Sequence, residues 1–398
     1  MIDIVFEWLG YLGRWGHVIA GITWIGTSFY FNWFDLSERA PQSPTIKPNV
    51  VGQIHEMHGG SFYYHERFWP TEDSPRTLAH SGPAQFTFLT GLFLIVSLYW
   101  FGASLYLTGP GGRDAPVSDL VVLSAAVIFG PWLIYDRACK MTEDDRIITL
   151  ISALIVVGVS LIATRIFTSR AAFVHVGAAL GTIMAANVHF VIVPNHIRMR
   201  RQVQAKQAVT RTFHLQAKRR SQHNNYFTLP VLFAMLSVHF PLVTTNGLAW
   251  ITIPLICGSA GALRHWRNRF MVTEQRDGRF AVLAGVLMVA AIATSAVRPT
   301  AETQDMAGLS PRDAETFAIL RQRCAVCHAT TPVMDGFTSP PAGLRLETLA
   351  QAQARKDLIY SAAITNDIMP PGNLTEMTDA ERAILADWLI SVGAGHSE

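Results

Sequence analysis

Two thiols and an imidazole stand within five residues in the last quarter of the chain, where Cys324–His328 reads Cys-Ala-Val-Cys-His. Thiols three positions apart can form thioethers to one porphyrin, and the adjacent imidazole can bind its iron. A zinc knuckle or a redox dithiol would use the same residues, but zinc needs more ligands and only His396 follows. The pattern therefore predicts one covalent haem c, held by Cys324 and Cys327 with His328 as an axial ligand.

A methionine on the opposite side of the iron would give this haem a high potential. Met369 lies in Ile-Met-Pro-Pro-Gly-Asn, where the prolines stiffen the loop that would present the sulfur. Met377 is the alternative ligand, whereas Met334 follows His328 too closely to reach the opposite face. We expect Met369 to be the second axial ligand.

Two helix starts flank these residues. Ser310 precedes a proline and an acid, which is typical of a helix N-cap and predicts a helix over 311–323 that leads into the cysteines. Thr378 and Glu381 form a capping-box pattern before an apolar helical face, and Gly393 suits its end. Two such helices crossing at the haem edge are typical of a small class I cytochrome c.

The rest of the chain has the composition of a membrane protein. Half of the 398 residues are hydrophobic, only 15% are charged, and the mean hydropathy is +0.25, which excludes a soluble multi-domain enzyme. The first ten residues lack the basic charge of a cleavable signal peptide. Eight apolar segments are long enough to span a bilayer: 11–34, 84–107, 118–135, 147–167, 171–194, 226–243, 247–264 and 280–297.

Charge sets the predicted orientation. With the N-terminus outside, the four inner connections carry 20 basic residues and the three outer connections carry only three. Residues 1–298 have a net charge of +9, and residues 299–398 have −6. We therefore predict a multi-pass protein of the bacterial inner membrane, with lipid around the bundle and both the N-terminus and the C-terminal domain in the periplasm. No nucleic-acid partner is expected.

The connection 52–69 is unusually rich in histidine and aromatic residues. Aromatic faces can stack on a flat heterocycle, while Arg and His can hold an anion or move protons. An amphipathic segment at the membrane surface explains the same composition equally well. If the segment is a site, the candidate catalytic residues are His55, Glu56, His58, His65 and Arg67.

Histidines inside apolar segments are functional candidates because an unpaired imidazole is costly there. His17 and His175 open the first and fifth spans with the same His-Val pair, and His80 and His223 precede the second and sixth. This weak 4+4 parallel repeat suggests a haem b between His17 and His175 or between His80 and His223. In the alternative, substrate enters from the periplasm, His17, His175 and His239 line its pocket, and no haem b is needed.

With these motifs together, the chain resembles the bacterial membrane-bound urate oxidases fused to a cytochrome c. The resemblance covers essentially the whole length and rests on GRWGHVIAGITWIGTSFYFNWFD, IHEMHGGSFYYHERFWP, SQHNNYFTLPVLFAMLSVHFP, CAVCH and IMPPGN. It implies hydroxylation of urate to 5-hydroxyisourate in purine degradation, without hydrogen peroxide. It also implies that electrons pass to the c haem and on to a respiratory acceptor, either a cytochrome c or a terminal oxidase.

The predicted fold class is all-α: a polytopic membrane bundle of about eight helices over residues 1–298, followed by a class I cytochrome c domain over 299–398. The leading hypothesis is a urate-oxidising oxidoreductase. One rival is an electron-transfer subunit whose bundle only anchors the cytochrome, and another is a haem- or metal-handling transporter. Reduction of the c haem by urate separates the first hypothesis from the others.

Overall fold

The computed structural model describes residues 2–47, 49–71, 81–108, 115–275, 277–298, 300–337 and 339–394. The chain is mostly helical, and a helix lies at each of the eight predicted spans. Among the described residues, four helical segments are long and apolar enough to cross a membrane: Gly82–Trp100, Val117–Met141, Asp145–Ile166 and Ser169–Gln204. These four segments are compatible with a membrane protein.

The N-terminal bundle contains eleven helices within the described ranges. They are α1 (Ile2–Ser37), α2 (Gly82–Leu94), α3 (Ala103–Tyr106), α4 (Val117–Met141), α5 (Asp145–Ile166), α6 (Ser169–Ala186), α7 (Val193–Gln204), α8 (Arg211–Leu236), α9 (Pro241–Thr244), α10 (Ala249–Thr273) and α11 (Arg279–Ser295). Wider π-helical turns over Ile95–Trp100 and Asn187–Ile192 extend α2 and join α6 to α7. Such turns occur often at functional sites.

The helix α6 is the buried centre of this bundle. Most of its side chains are fully enclosed, among them Phe173, Leu180 and Ile183. It packs against α4, α5 and α8, whose apolar faces complete one hydrophobic core. Functional side chains on α6 are therefore held in fixed positions.

The connection between the first two long helices is a β-hairpin, which corrects the all-α prediction. Strand β1 (Val50–His58) pairs antiparallel with β2 (Ser61–Phe68). Gly59 and Gly60 form the two-residue turn with φ of +59° and +80°, a conformation that favours glycine in tight hairpins. The sequence prediction considered the histidine, aromatic and charged residues of this segment but not Gly59-Gly60, whose pairing is typical of a hairpin turn.

The C-terminal region is a set of short helices around a second hydrophobic core. They are α12 (Pro311–Ile319), α13 (Ala325–His328), α14 (Leu349–Gln353), α15 (Lys356–Ile359) and α16 (Asp379–Ser391). A π-helical turn over Leu320–Cys324 joins α12 to α13. Leu320, Leu385 and Leu389 are fully buried where α12 and α16 meet.

Both predicted helix starts of this region are confirmed. The Ser310 hydroxyl accepts a hydrogen bond from the Asp313 backbone amide. Thr378 and Glu381 form a capping box, in which the side chain of each accepts a hydrogen bond from the backbone amide of the other. Gly393 ends α16 with a φ of +87°. The indole Nε1 of Trp388 donates to the Asp313 carboxylate at 2.8 Å, which fixes the crossing of α12 and α16.

Candidate functional site

A cavity of about 610 Å³ lies between the C-terminal region and one end of the helix bundle. Cys324, Cys327, His328, Met369 and Met377 all line it, so five residues that the sequence singles out meet in one place. The volume is within the usual range for small-molecule and cofactor sites.

Hydrogen bonding fixes the proton on the His328 ring. Nδ1 lies 3.1 Å from the carbonyl oxygen of Leu344, which can only accept, so Nδ1 carries the hydrogen. The other nitrogen, Nε2, therefore has a lone pair available to a metal. Burial lowers the pKa of His328, and this keeps the imidazole neutral at pH 7. This is the arrangement usual for a metal-binding histidine whose orientation is set by a second group.

The two cysteines of the motif lie three residues apart and form no disulfide: Cys324 ends the π-helical turn and Cys327 lies in α13. Burial raises the pKa of Cys324 to about 12, so its sulfur is a thiol at neutral pH. Within the described residues, no group of three or more His, Cys, Asp or Glu side chains could hold a bare metal ion. The described residues thus offer no set of ligands for a zinc knuckle.

The methionines differ in their surroundings. Met369 is only partly buried, and its backbone is fixed because Met369 N donates to Ala362 O at 3.0 Å and Arg382 donates to Met369 O at 3.0 Å. Met377 is 3% exposed and packs into the hydrophobic core of the C-terminal region. Met334 is not among the residues that line the cavity. An imidazole and a thioether can therefore approach one planar group in this cavity.

Three of the five candidate catalytic residues share the hairpin face that packs against α1. His65 Nε2 lies 3.4 Å from Glu56 Oε2, and the Tyr30 hydroxyl of α1 donates to the same oxygen at 3.0 Å. Arg67 forms a two-pronged ion pair with the buried carboxylate of Glu38. This hydrogen bond raises the pKa of Arg67, and the pair ties the hairpin to the end of α1.

His55 and His58 do not join this group. Both are exposed, and His55 lies on the opposite strand face beside Tyr64, with ring centroids 4.9 Å apart. Strand alternation places His58 on the same face as Glu56, but at the exposed tip of the hairpin, so of the five predicted residues His55 alone lies on the opposite face.

A smaller cavity of about 320 Å³ lies at the base of the hairpin. Its walls include Trp69, His196, Arg200 and His214, and the Trp69 and His214 rings meet edge to face at 5.3 Å. Burial lowers the pKa of His214, which favours its neutral form. An indole beside a guanidinium suits a small planar anion.

His175 lies fully buried at the centre of the bundle, and both of its ring nitrogens are hydrogen-bonded. Nδ1 lies 2.6 Å from Ala171 O, and Nε2 lies 2.7 Å from the Ser124 hydroxyl, which also accepts from Trp100. The Phe167 ring stacks on the imidazole at 4.3 Å. A haem ligand at His175 would have to break one of these bonds.

His17 has different neighbours from His175. Its Nδ1 lies 3.0 Å from Thr87 O and 3.1 Å from the Thr90 hydroxyl, both on α2, and its ring packs against Gly91. The two residues therefore do not occupy equivalent environments, as a strict repeat would require. His80 lies outside the described residues, and His239 is exposed. This hydrogen bonding does not favour haem b, which stays a prediction.

His223 belongs to a buried polar network that the sequence did not predict. Its Nδ1 accepts from the Tyr135 hydroxyl at 2.7 Å, and its Nε2 lies 3.2 Å from Asp145. The network continues from Tyr135 through Asn187 to Arg220, and Arg220 pairs with the buried Asp136 at 2.7 Å. The charged residues Asp136 and Arg220, at the ends of apolar segments, are the sequence feature that could have indicated this network.

The comparison with known families assigns the bundle. The model of the urate oxidase N-terminal family matches residues 3–296, which is most of the chain. No curated protein and no solved structure matches it. The match suggests urate oxidation and hence an oxidoreductase. The chain therefore belongs to the urate oxidase N-terminal family.

Proposed function

We propose that this protein oxidises urate in the bacterial inner membrane and passes the electrons to a covalent haem c in its C-terminal domain. From there the electrons reach a respiratory acceptor, a cytochrome c or a terminal oxidase. The observation that carries the proposal is the joining of a urate oxidase family bundle to a cavity lined by the Cys-x-x-Cys-His motif.

The residues of the 610 Å³ cavity fit a haem c group. Cys324 and Cys327 would hold the porphyrin, and His328 would bind the iron through Nε2, since its Nδ1 is used by Leu344. Met369 is better placed than Met377 to supply a thioether to the group, because Met377 is buried in the apolar core whereas Met369 is only partly buried. When bound, the group accepts one electron at a time and releases it to a partner.

The proposed oxidation of urate consumes water and needs no molecular oxygen. Uric acid and one water give 5-hydroxyisourate, two protons and two electrons, so one turnover sends two electrons through the haem in succession. No hydrogen peroxide is formed, because oxygen is not the acceptor.

The distribution of basic residues supports delivery of the electrons to the periplasm. Eight spans with the basic residues on the inner side would place both chain ends in the periplasm, where c-type haem is attached. The four long apolar helical segments are compatible with a membrane protein, and the eight-span topology is part of the proposal.

Addition of urate to the oxidised, anaerobic holoprotein tests the proposal. We expect the absorption bands of reduced haem c to appear with urate and not with xanthine, which lacks the oxygen at C8. Haem that ascorbate reduces and urate does not would contradict urate oxidation and favour an anchored electron-transfer subunit.

A further inference from the structure

The 610 Å³ cavity is not built by the C-terminal region alone. One wall consists of residues at the ends of bundle helices, namely Tyr106, Thr108, Ser169, Arg170, Thr245 and Asn246. These residues belong to the part of the chain that matches the urate oxidase family, whereas the cysteine motif lies outside that match. The cavity is therefore formed jointly by residues inside the family match and residues that follow it.

One loop of the C-terminal region connects this wall to the proximal histidine. Gly343 has a φ of +70°, and a Cβ placed there would lie 3.0 Å from Thr245 Cγ2 and 3.7 Å from Ser169 Cβ. The next residue, Leu344, supplies the carbonyl that orients His328. The close approach of Gly343 to the bundle thus fixes the backbone that holds the imidazole.

A second contact ties the two regions together beside the cavity. Arg355 donates a hydrogen bond from Nη2 to the carbonyl oxygen of Thr108, at the end of the α3 segment. Arg355 and Thr108 both line the cavity as well. The C-terminal region therefore contacts the bundle at two places beside the cavity, through Gly343 and through Arg355.

Aromatic rings lead from the bundle centre to this wall. The ring centroids of His175 and Tyr99 are 6.2 Å apart, and those of Tyr99 and Tyr106 are 5.8 Å apart. Arg170 interacts with Tyr99, and its buried Nε has no hydrogen-bond partner among the described residues. The wall therefore combines a packed path into the bundle with a cation that faces the cavity.

The geometry points to a docked electron-entry surface: the bundle wall at Tyr106, Arg170 and Thr245 completes the haem c pocket, and electrons from urate enter the haem through it. This inference rests on the proposed function. Each urate supplies two electrons, which cross this wall one at a time and leave to the respiratory acceptor. Arg170 is a positioning residue that stabilises the reduced haem by its charge.

The variant Gly343→Ala tests the docking contact in the full-length holoprotein. Its Cβ would press on Thr245, so we expect urate-driven haem reduction to slow about tenfold, the factor that about 1.4 kcal/mol of lost docking corresponds to. Rates are compared per mole of haem that ascorbate can reduce from solvent, so that a change in haem content caused by the substitution does not count as slower electron entry. Gly308→Ala is the matched control, since its φ is +89° and an added Cβ meets no described atom within 4 Å.

Equal urate-driven rates in Gly343→Ala and Gly308→Ala would overturn the inference. If neither variant nor the natural protein is reduced by urate while ascorbate reduces all three, the proposed function fails instead.

A redox titration of Arg170→Gln gives a second readout that does not depend on activity or on docking. Loss of a cation from the pocket should lower the midpoint potential of the haem, because the oxidised form carries one more positive charge. Arg312→Gln removes the same charge from an exposed position on α12 and should leave the potential nearly unchanged. Identical potentials in the two variants would contradict the placement of Arg170 beside the haem.

Discussion

The two ends of the helix bundle use polar side chains in opposite ways. At the end that carries His223, the buried Arg220, Asp136 and Asn187 bond to one another. At the other end, a cavity of about 610 Å³ is bordered by His328, two cysteines and two methionines. The first arrangement specifies a structure, and the second is suited to hold a ligand.

The difference shows how a buried polar group should be interpreted. A group whose partners are all protein atoms is explained by folding, because burial without a partner is costly. His175 is such a group, although its position in an apolar helix suggested a cofactor ligand. His328 is different because, among the described residues, only Nδ1 of its two nitrogens has a hydrogen-bond partner.

The largest effect is expected from His328→Ala. The variant loses the imidazole that would bind the iron, so we expect no stable holo-cytochrome with a low-spin spectrum. A pyridine haemochrome assay and an absorption spectrum measure this. A normal low-spin spectrum in the variant would show that another residue is the ligand.

The polar network at the His223 end of the bundle should contribute to the free energy of unfolding. Arg220→Met leaves the buried Asp136 paired with Lys140 and should destabilise the fold by about 3 kcal/mol. Arg279→Met is the matched control, since Arg279 is exposed, pairs with Asp277 outside this network and should cost about 1 kcal/mol or less. Thermal unfolding in detergent compares the two, and equal losses would mean that the Arg220 network does not stabilise the bundle.

Substitutions of the two cavity methionines should have different effects, one on the stability of the fold and the other on the haem potential. Met377→Ala removes a core side chain and should cost about 2–5 kcal/mol while leaving the haem potential in place. Met369→Ala should lower the midpoint potential, because a lost thioether ligand favours ferric iron, with a smaller change in stability. A redox titration beside a melting curve measures both quantities. The reverse pattern would assign the ligand to Met377.

The smallest effect concerns the helix that closes the C-terminal region. Thr378→Ala removes the N-cap of α16 and should cost about 1 kcal/mol of stability without a change in the haem spectrum. Thr378→Ser keeps the hydroxyl and serves as the control. A spectral change in Thr378→Ala would mean that α16 affects the haem directly.

The features that the sequence predicted correctly are local ones. Both helix starts of the C-terminal region follow from residues within one turn, as at Ser310 and Thr378. The helices of the bundle follow from apolar length, although some of them extend well beyond the predicted spans. For example, α8 begins at Arg211, whereas the sixth predicted span begins near residue 226.

The features that the sequence missed depend on distant partners. His175 is satisfied by Ser124, 51 positions earlier, and Arg220 by Asp136, 84 positions earlier. Spacing along the chain cannot show such pairs. The contact between Thr245 and Gly343 likewise joins the bundle to the C-terminal region, and no local sequence pattern predicts it.

In the proposed function, the haem and not molecular oxygen accepts the electrons from urate. This transfer is tested most directly by counting reduced haem against urate consumed in a single anaerobic turnover with excess oxidised protein. The account predicts two haems reduced for each urate lost, and no hydrogen peroxide when air is admitted. Urate consumed in air with an equal amount of peroxide, while the haem stays oxidised, would contradict it.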